Sequence, residues 1–600
     1  MRNLRVRFFA GAASVFLALA LSRPATADMT YAITDLGALV GGTSTVAFAI
    51  NNNGQVIGWG DTASMDFMGN PASNAFVFKS ASLINLGTLG GDNSYAYGIN
   101  GAGKVVGSSH TGAYDVYNNP IFHAFAYTGG PLLDLGTLGG VNSYAEAVNA
   151  FGVIAGQADT ASQDSIAFIG NASGLHTIPG LGNLGSEAYA INSHGQVVGW
   201  ANTSSYDPQA FLSSGNTVSN LGAFPGERQS TAFSIADNGF IVGGADTQNI
   251  SDPTNPFFHA CLFQNGSLTD IGTLGGNRSS AYGVNVFQQV VGFADQLASG
   301  DPRAFIWQNG VMKDLNTMIP ATSAIHLQQA NGINNSGQIV GYGSVSSGDT
   351  HAFLLTPFLM LQPAYVPSGT TSVAKITLDS PAPPPTGALV TITSDSPALA
   401  MPSTPVVSIG VGGRTATFNI TTAVVTSDTT VHITATYNGV TRTAPLLIRA
   451  PATLSGVVNL EACAKMGGEV ITLKFRDTDD SGSFTKTVTL ASDGSFSLPN
   501  VPAGTYYLAV KGRIWLQKVV PLDAPDNGAP TISVNLLTGD ANNDNSVDST
   551  DFGILIGAFN TDNSTPHSGY DIEADFNCDG SVDSTDFGLL IGNFNIRGDL

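Results

Sequence analysis

The residues of this chain best suited to chemistry lie near its end, where oxygen-bearing side chains recur at fixed intervals. In GDANNDNSVDSTDFGILI, residues 539 to 556, Asp540, Asn542, Asp544, Ser546, Asp548 and Asp551 stand at positions 1, 3, 5, 7, 9 and 12 of a loop. In ADFNCDGSVDSTDFGLLI, residues 574 to 591, Asp575, Asn577, Asp579, Ser581, Asp583 and Asp586 repeat the spacing. A twelve-residue loop of this pattern wraps oxygens around Ca²⁺, with position 7 giving its backbone carbonyl. Position 6 needs left-handed backbone, which Gly580 supplies in the second copy and Asn545, the next most tolerant type, in the first. Two calcium ions, one per loop, are the expected cofactors.

Electrostatics argues that the loops need a cation. Each holds four carboxylates, and a close like-charged pair costs roughly 4 kcal/mol at 4 Å and an effective dielectric of 20. Residues 538 to 600 carry twelve acids against one Arg, so this tenth of the chain contributes −11. What positions the loops is a single helix after each. Phe552, Leu555, Ile556 and Phe559 fall at i, i+3, i+4 and i+7, and Phe587, Leu590, Ile591 and Phe594 repeat them. Each helix thus has one apolar stripe, and the two stripes are expected to bury one another.

The duplicated loop-helix pattern resembles a dockerin domain, with Asp rather than Glu at position 12 and no entering helix. The resemblance implies a cohesin-like partner, met by positions 10 and 11 of each loop, here Ser549, Thr550, Ser584 and Thr585. Two near-identical faces then imply docking in either of two orientations. The tripeptide Arg597-Gly598-Asp599 is read as chance.

The N-terminus has Arg2, Arg5 and Arg7, an apolar run from Phe8, and the small-x-small exit Ala25-Thr26-Ala27, the parts of a secretory signal over residues 1–27. No other segment is long and apolar enough to span a membrane. Removing the signal takes four of the 22 basic residues and none of the 44 acidic ones, leaving a formal charge of −26. That charge excludes nucleic acid as a partner, and the signal points to a secreted, extracellular or surface-associated protein. Three cysteines (Cys261, Cys463, Cys578) are too few and too scattered for a disulfide framework, and no role is assigned to them.

Upstream, residues 28–357 repeat with a period of 40 to 50 residues. The segment AFAIN recurs as AYGIN, AEAVN, AYAIN, AFSIA, AYGVN and ANGIN, beginning at 47, 96, 145, 188, 232, 281 and 330. A four-residue turn and a second apolar run follow each, with Gly in the turn's fourth place in six copies and Gln288 in the other. That pair is a β-hairpin. A third strand carries Ala-Phe in six copies, and a fourth ends in NLG, DLG or DIG in most. Four strands in about 45 residues describe one propeller blade. YAITDLG at 31 to 37 is a fourth strand that precedes any first strand, while the seventh unit lacks one, so the N-terminal strand is expected to complete the last sheet. The copies resemble extracellular HAF repeats, named for His-Ala-Phe, as in His123-Ala124-Phe125 and His351-Ala352-Phe353.

His123, His259 and His351 lie in non-adjacent units and are read as strand-edge residues rather than ligands. Asp61, His110, Asp159, Asn202, Asp246, Asp295 and Ser344 share one place after the second strand and form a candidate polar girdle for calcium or a glycan. The loops MDFMGN, YDVYNN and DPTNPFFHA offer aromatic and amide groups suited to a polysaccharide.

Alternating runs over residues 358–450 read as an Ig-like β-sandwich, and those over 451–538 as a second sandwich similar to carboxypeptidase-regulatory modules, both spacers. The expected fold is mainly β and multidomain: a seven-bladed β-propeller, two β-sandwich modules and a small α calcium-binding dockerin over residues 539–600. The expected function is non-enzymatic binding, with no catalytic residues. The alternative is a glycoside hydrolase, whose acids would have to break the repeat; Glu146, Glu187 and Glu227 are the glutamates that do.

Overall fold

The computed structural model describes residues 31–599 except 172–173, 216, 248–256, 265, 297–300, 379, 464, 479–482, 525–529 and 565–568. The leader read over residues 1–27 and most of the DPTNPFFHA loop lie outside the described residues. The described residues are mainly β, with two short α-helices near the C-terminus and a 3-10 turn at Leu315–Met318.

Residues 31–357 form seven four-stranded antiparallel sheets. In six of them the strands are consecutive. In the seventh, Tyr31–Asp35 pairs with Thr350–Pro357, placing Tyr31 opposite Pro357 and Asp35 opposite Phe353. The hairpin turns follow from their fourth residue: six glycines from Gly54 (φ 77°) to Gly337 (φ 76°), and Gln288, which takes the same left-handed backbone at φ 60°. The second strand's Gly has a separate cause. A Cβ on Gly58 would stand 1.9 Å from the Val46 carbonyl oxygen, and the equivalents, including Gly199 and Gly341, would meet the same clash. The third strand's Ala-Phe pair fills each sheet's core: Phe76, Phe125, Phe168, Phe211, Phe305 and Phe353 are fully buried, and Cys261 takes that place in the fifth unit. Each buried Phe contributes about 2–3 kcal/mol by area removed from water.

Two ladders tie the sheets together. The Asn that ends the AFAIN segment accepts its own turn's N–H groups through Oδ1, as Asn51 does from Asn53 and Gln55, and donates through Nδ2 to the next sheet. Asn51 reaches Asn100 O (2.9 Å), Asn100 reaches Asn149 O, Asn149 reaches Asn192 O and Asn192 reaches Ala236 O. The fifth unit has Ala236 in this place, and Asn238 bonds Val286 O instead. Asn285 then reaches Asn334 O, and Asn334 returns to Asn51 O at 3.1 Å. In the second ladder the third-strand Ala N–H donates to a hydroxyl of the following sheet, as Ala75 does to Ser94 and Ala352 to Thr45. Both ladders therefore run from the seventh sheet to the first.

Residues 359–449 make a four-stranded and a five-stranded sheet over a core that includes Ile376, Phe418, Ile433 and Ile448. Residues 452–536 make a three-stranded and a four-stranded sheet around Phe475, Tyr506 and Trp515. Both lie against the turn ends of the seven sheets. Ser193 Oγ donates to Asp523 (3.0 Å), Tyr507 Oη donates to Phe151 O (3.0 Å), and Ser336 Oγ donates to Leu361 O (2.7 Å). A cleft of 1320 Å³ lies between these parts, lined by Asp237, Asp428, Asp477, Asp523, His194 and Arg449 among others.

Two expectations need correction. Cys463 and Cys578 do have a role: they form a disulfide across 115 residues that ties the second sandwich to the C-terminal segment, while Cys261 is free and buried. The helical stripes do not bury one another. Leu555 and Leu590 are fully buried, but Ile556 and Ile591 are each 51% exposed. The reason is that the second sandwich supplies the core, since Val547, Leu555, Phe576 and Leu590 pack in one cluster with Ile514, Trp515 and Leu516.

Candidate functional site

The two acidic loops fold by the same hydrogen bonds. Asp540 Oδ1 accepts from the Asp544 N–H (2.9 Å) and Oδ2 from the Asn545 N–H (3.0 Å); Asp575 accepts likewise from Asp579 and Gly580. At position 12, Asp551 accepts from the Asn542 and Asp548 N–H groups, and Asp586 from those of Phe576, Asn577 and Asp583. Position 6 is left-handed in both copies, Asn545 at φ 70° and Gly580 at φ 94°. Each loop runs into its helix, α1 (Ser549–Ala558) or α2 (Ser584–Gly592), through a capping box of Asp548 with Asp551 or Asp583 with Asp586.

Asp540, Asp551 and Asp586 are fully buried and Asp575 nearly so. Burial first, and then the charges of Asp540 and Asp544, push the Asp551 carboxyl above the usual range; burial first, and then Asp575, do the same to Asp586. Among the described residues no group of three His, Cys, Asp or Glu side chains is drawn together as a metal site. The oxygens of each loop are held by its own N–H donors, and Asn542 and Asn577 donate to Asp544 and Asp579. An all-oxygen donor set around buried, mutually repelling carboxylates nevertheless fits a hard divalent cation. The copies differ at one point: Asp540 Oδ2 also takes the Lys511 ammonium, whereas Asp575 Oδ2 takes the Tyr570 hydroxyl (2.7 Å).

Residues 538–595 match the Dockerin type I domain. Two solved cohesin–dockerin complexes are similar to this chain, both mutants of a type II cohesin–X–dockerin complex from Acetivibrio cellulolyticus. Each is 22% identical and covers 24% of this chain and 97% of its own, with TM-scores of 0.21 and 0.20. Hydrazine synthase of Kuenenia stuttgartiensis is 9% identical over 80% of this chain and 68% of its own, with a TM-score of 0.20. No curated protein matches the chain.

On the dockerin, Ser549, Thr550, Ser584 and Thr585 are all exposed, each pair opening its helix. Beside them runs an apolar face that the sequence had assigned to the core. Phe552 (36% exposed) and Phe587 (38%) meet edge to face at 6.2 Å, flanked by Ile556, Ile591 and Phe594. A Cβ on Gly553, Gly557, Gly588 or Gly592 would meet only open space, so the helices present small residues between the large ones. Asp599 of the RGD tripeptide is engaged inside the chain, accepting from the Val519 N–H and pairing with Lys518.

In the seven sheets, the strand-edge histidines pair with the fourth strand's Asp: His123 with Asp134, His259 with Asp270, and His351 with Asp35. Members of the polar girdle hold neighbouring loops. Asp61 accepts from Thr43 and Ser44, Asp159 from Asn142, and Asp295 from Arg278. The loops at 65–70 and 114–119 carry an exposed apolar group, with Phe67 and Tyr114 at 5.7 Å and Met68, Val116 and Tyr117 at 70%, 93% and 83% exposure.

Sequence reading passed over the second residue of the AFAIN segment. In all seven copies the first strand's register shifts at this residue: Phe48, Tyr97, Glu146, Tyr189, Phe233, Tyr282 and Asn331. A β-bulge of this kind re-aims a side chain out of the ladder. Rings from adjacent sheets meet here, Phe48 with Tyr97 at 5.3 Å, Tyr189 with Phe233 at 5.2 Å, and Phe233 with Tyr282 at 5.1 Å. Glu146 is pushed up to about 8, by burial first and by Glu187 second. Glu187 accepts from Gln157 (2.8 Å), the Tyr189 hydroxyl (2.7 Å) and Trp200 Nε1 (3.1 Å). The available signal was a contrast: five aromatic residues at the repeated place, interrupted by one carboxylate.

Proposed function

We propose that the chain is a secreted, non-enzymatic binding and structural protein, docked through its dockerin to a cohesin-bearing scaffold or cell surface. Dockerin domains bind calcium. In this reading one Ca²⁺ per loop is held by Asp540, Asn542, Asp544, Ser546, Asp548 and Asp551, and by Asp575, Asn577, Asp579, Ser581, Asp583 and Asp586. Within each loop, backbone N–H groups hold the carboxylates of positions 1 and 12, and the ion would draw the remaining oxygens in around it. The seven sheets close as a seven-bladed β-propeller whose aromatic loops at 65–70 and 114–119 face a glycan, and the two β-sandwiches serve as spacers.

The observation that carries the docking assignment is the exposed face of α1 and α2. Its apolar residues are rimmed by Ser549, Thr550, Ser584 and Thr585, a chemistry suited to a protein partner. The test is a pull-down from culture surface material with and without EDTA, with Phe552→Asp/Phe587→Asp as a second arm. Cohesin capture should need calcium and should be lost in the double variant; capture that survives both would overturn the assignment. The hydrolase alternative rests on Glu146 and Glu187, and would require reducing ends released from a polysaccharide to disappear in Glu146→Gln.

A further inference from the structure

The inner bulge residues of the seven sheets have not been used by the docking function or by the outer loops. Five are aromatic, one is Asn331 and one is Glu146. Asn331 is committed to the fold, donating to Ala47 O at 2.7 Å. Glu146 makes no side-chain hydrogen bond among the described residues, although its neighbour Glu187 has three donors.

The dimensions follow from the ring contacts. This step rests on the closed seven-membered arrangement proposed above. Centroid separations of 5.1 to 5.3 Å, carried around seven positions, place each ring about 6 Å from a common axis, within the range at which a ring face attracts a cation. The Tyr189 hydroxyl is turned aside to Glu187, so that residue offers its ring rather than a donor. Such a wall is poor in the hydrogen-bonding groups that a sugar's hydroxyls require. It combines negative ring faces with one carboxyl that lacks a partner.

We propose that this inner ring is a binding site for a small organic ammonium group, with Phe48, Tyr97, Tyr189, Phe233 and Tyr282 as an aromatic cage and Glu146 as the counter-ion. The burial that disfavours an ionised Glu146 is offset when a cation arrives. The other titratable groups facing Glu146 are Tyr97, Tyr144, Tyr189 and Glu187, none of which is cationic. The ligand therefore brings the positive charge that the ring lacks.

The full chain, loaded with Ca²⁺, is titrated calorimetrically at pH 8.5 with choline, a quaternary ammonium, and with its uncharged isostere 3,3-dimethylbutan-1-ol, and separately with neutral oligosaccharides. Saturable binding of the ammonium is expected, at least tenfold weaker for the alcohol, and at least tenfold weaker in Glu146→Gln and in Phe233→Leu. Absence of saturable heat, equal affinity for the alcohol, or an oligosaccharide that binds regardless of Glu146→Gln would each overturn the proposal. Hydrogen exchange of the Tyr31–Asp35 amides, read on the same sample, separates the two claims. Protected amides with no ammonium binding refute the site alone, and unprotected amides refute the closed ring on which it rests.

Discussion

Replacing Glu146 with Gln tests the electrostatics of the inner ring without any ligand. Folding moves this carboxyl from 4.5 to about 8, mainly through burial. Below pH 4.5 the folded and unfolded chains both carry the proton, so the residue contributes no pH dependence. Between 4.5 and about 8 the unfolded chain has released the proton and the folded chain has kept it, so folding loses stability as pH rises. At about 1.4 kcal/mol per unit, the cumulative cost at pH 8 approaches an upper bound of about 5 kcal/mol. The amide has nothing to ionise, so Glu146→Gln should match the parent near pH 4.5 and gain on it steadily towards pH 8.

Thermal melts of the two proteins in matched buffers from pH 4.5 to 9 give the measurement, since pH effects elsewhere in the chain cancel in the difference. With an unfolding entropy of about 2.1 cal/mol/K per residue over residues 31–357, the full effect corresponds to about 7 °C. A difference in Tm that stays flat from pH 5 to 8 would refute the assignment of Glu146 as a half-buried acid that keeps its proton. A difference that runs the other way would mean that the carboxylate is stabilised as an anion.

Lys511→Met removes the ammonium beside the fully buried Asp540 and should cost about 3 kcal/mol in EDTA, because breaking a buried pair strands the remaining charge. In saturating Ca²⁺ most of that loss should vanish and the first loop should bind its ion more tightly; equal losses in both conditions would refute the coupling. Cys578→Ser opens a cross-link over 115 residues and should lower stability by about 4–5 kcal/mol, read from denaturant midpoints. Reducing the parent protein should reproduce the shift, and a midpoint indifferent to reductant would show that the bond does not form.

Repetition made much of this architecture legible. A turn glycine seen six times, with Gln288 as the exception, predicts a left-handed residue, and all seven adopt one. Tyr31–Asp35 could be assigned to the last sheet because a strand was missing there and left over at the start. Position 6 of each acidic loop was readable because the loop's turn demands left-handed backbone there, which Asn545 and Gly580 adopt. What one sequence conceals are relations between copies. Asn51 reads as a turn residue, and only the fold reveals that its other end holds the next sheet. Glu146 reads as an odd acid until the bulge sets it beside Tyr97 and Tyr189. The exposed helical stripe escaped for a related reason, since periodicity says that an apolar face exists and not which partner covers it.

The second sandwich decides that partner for Leu555 and Leu590, and this bears on whether the dockerin folds alone. Residues 539–600 are too few to bury much apolar surface. They carry crowded carboxylates, and their core residues lean on Ile514, Trp515 and Leu516. Lys511 and Cys463, which neutralise and tether the segment, also come from before residue 539. A fragment of residues 451–600 should therefore melt cooperatively in Ca²⁺ and show dispersed amide resonances. One of residues 539–600 should bind Ca²⁺ more weakly and remain largely unstructured in its absence, with Leu555 and Leu590 opened to solvent. If the short fragment matched the long one in both affinity and melting, the shared cluster would be mere contact. The ions alone would then hold the loops, and the boundary at 538 would separate two independent folding units.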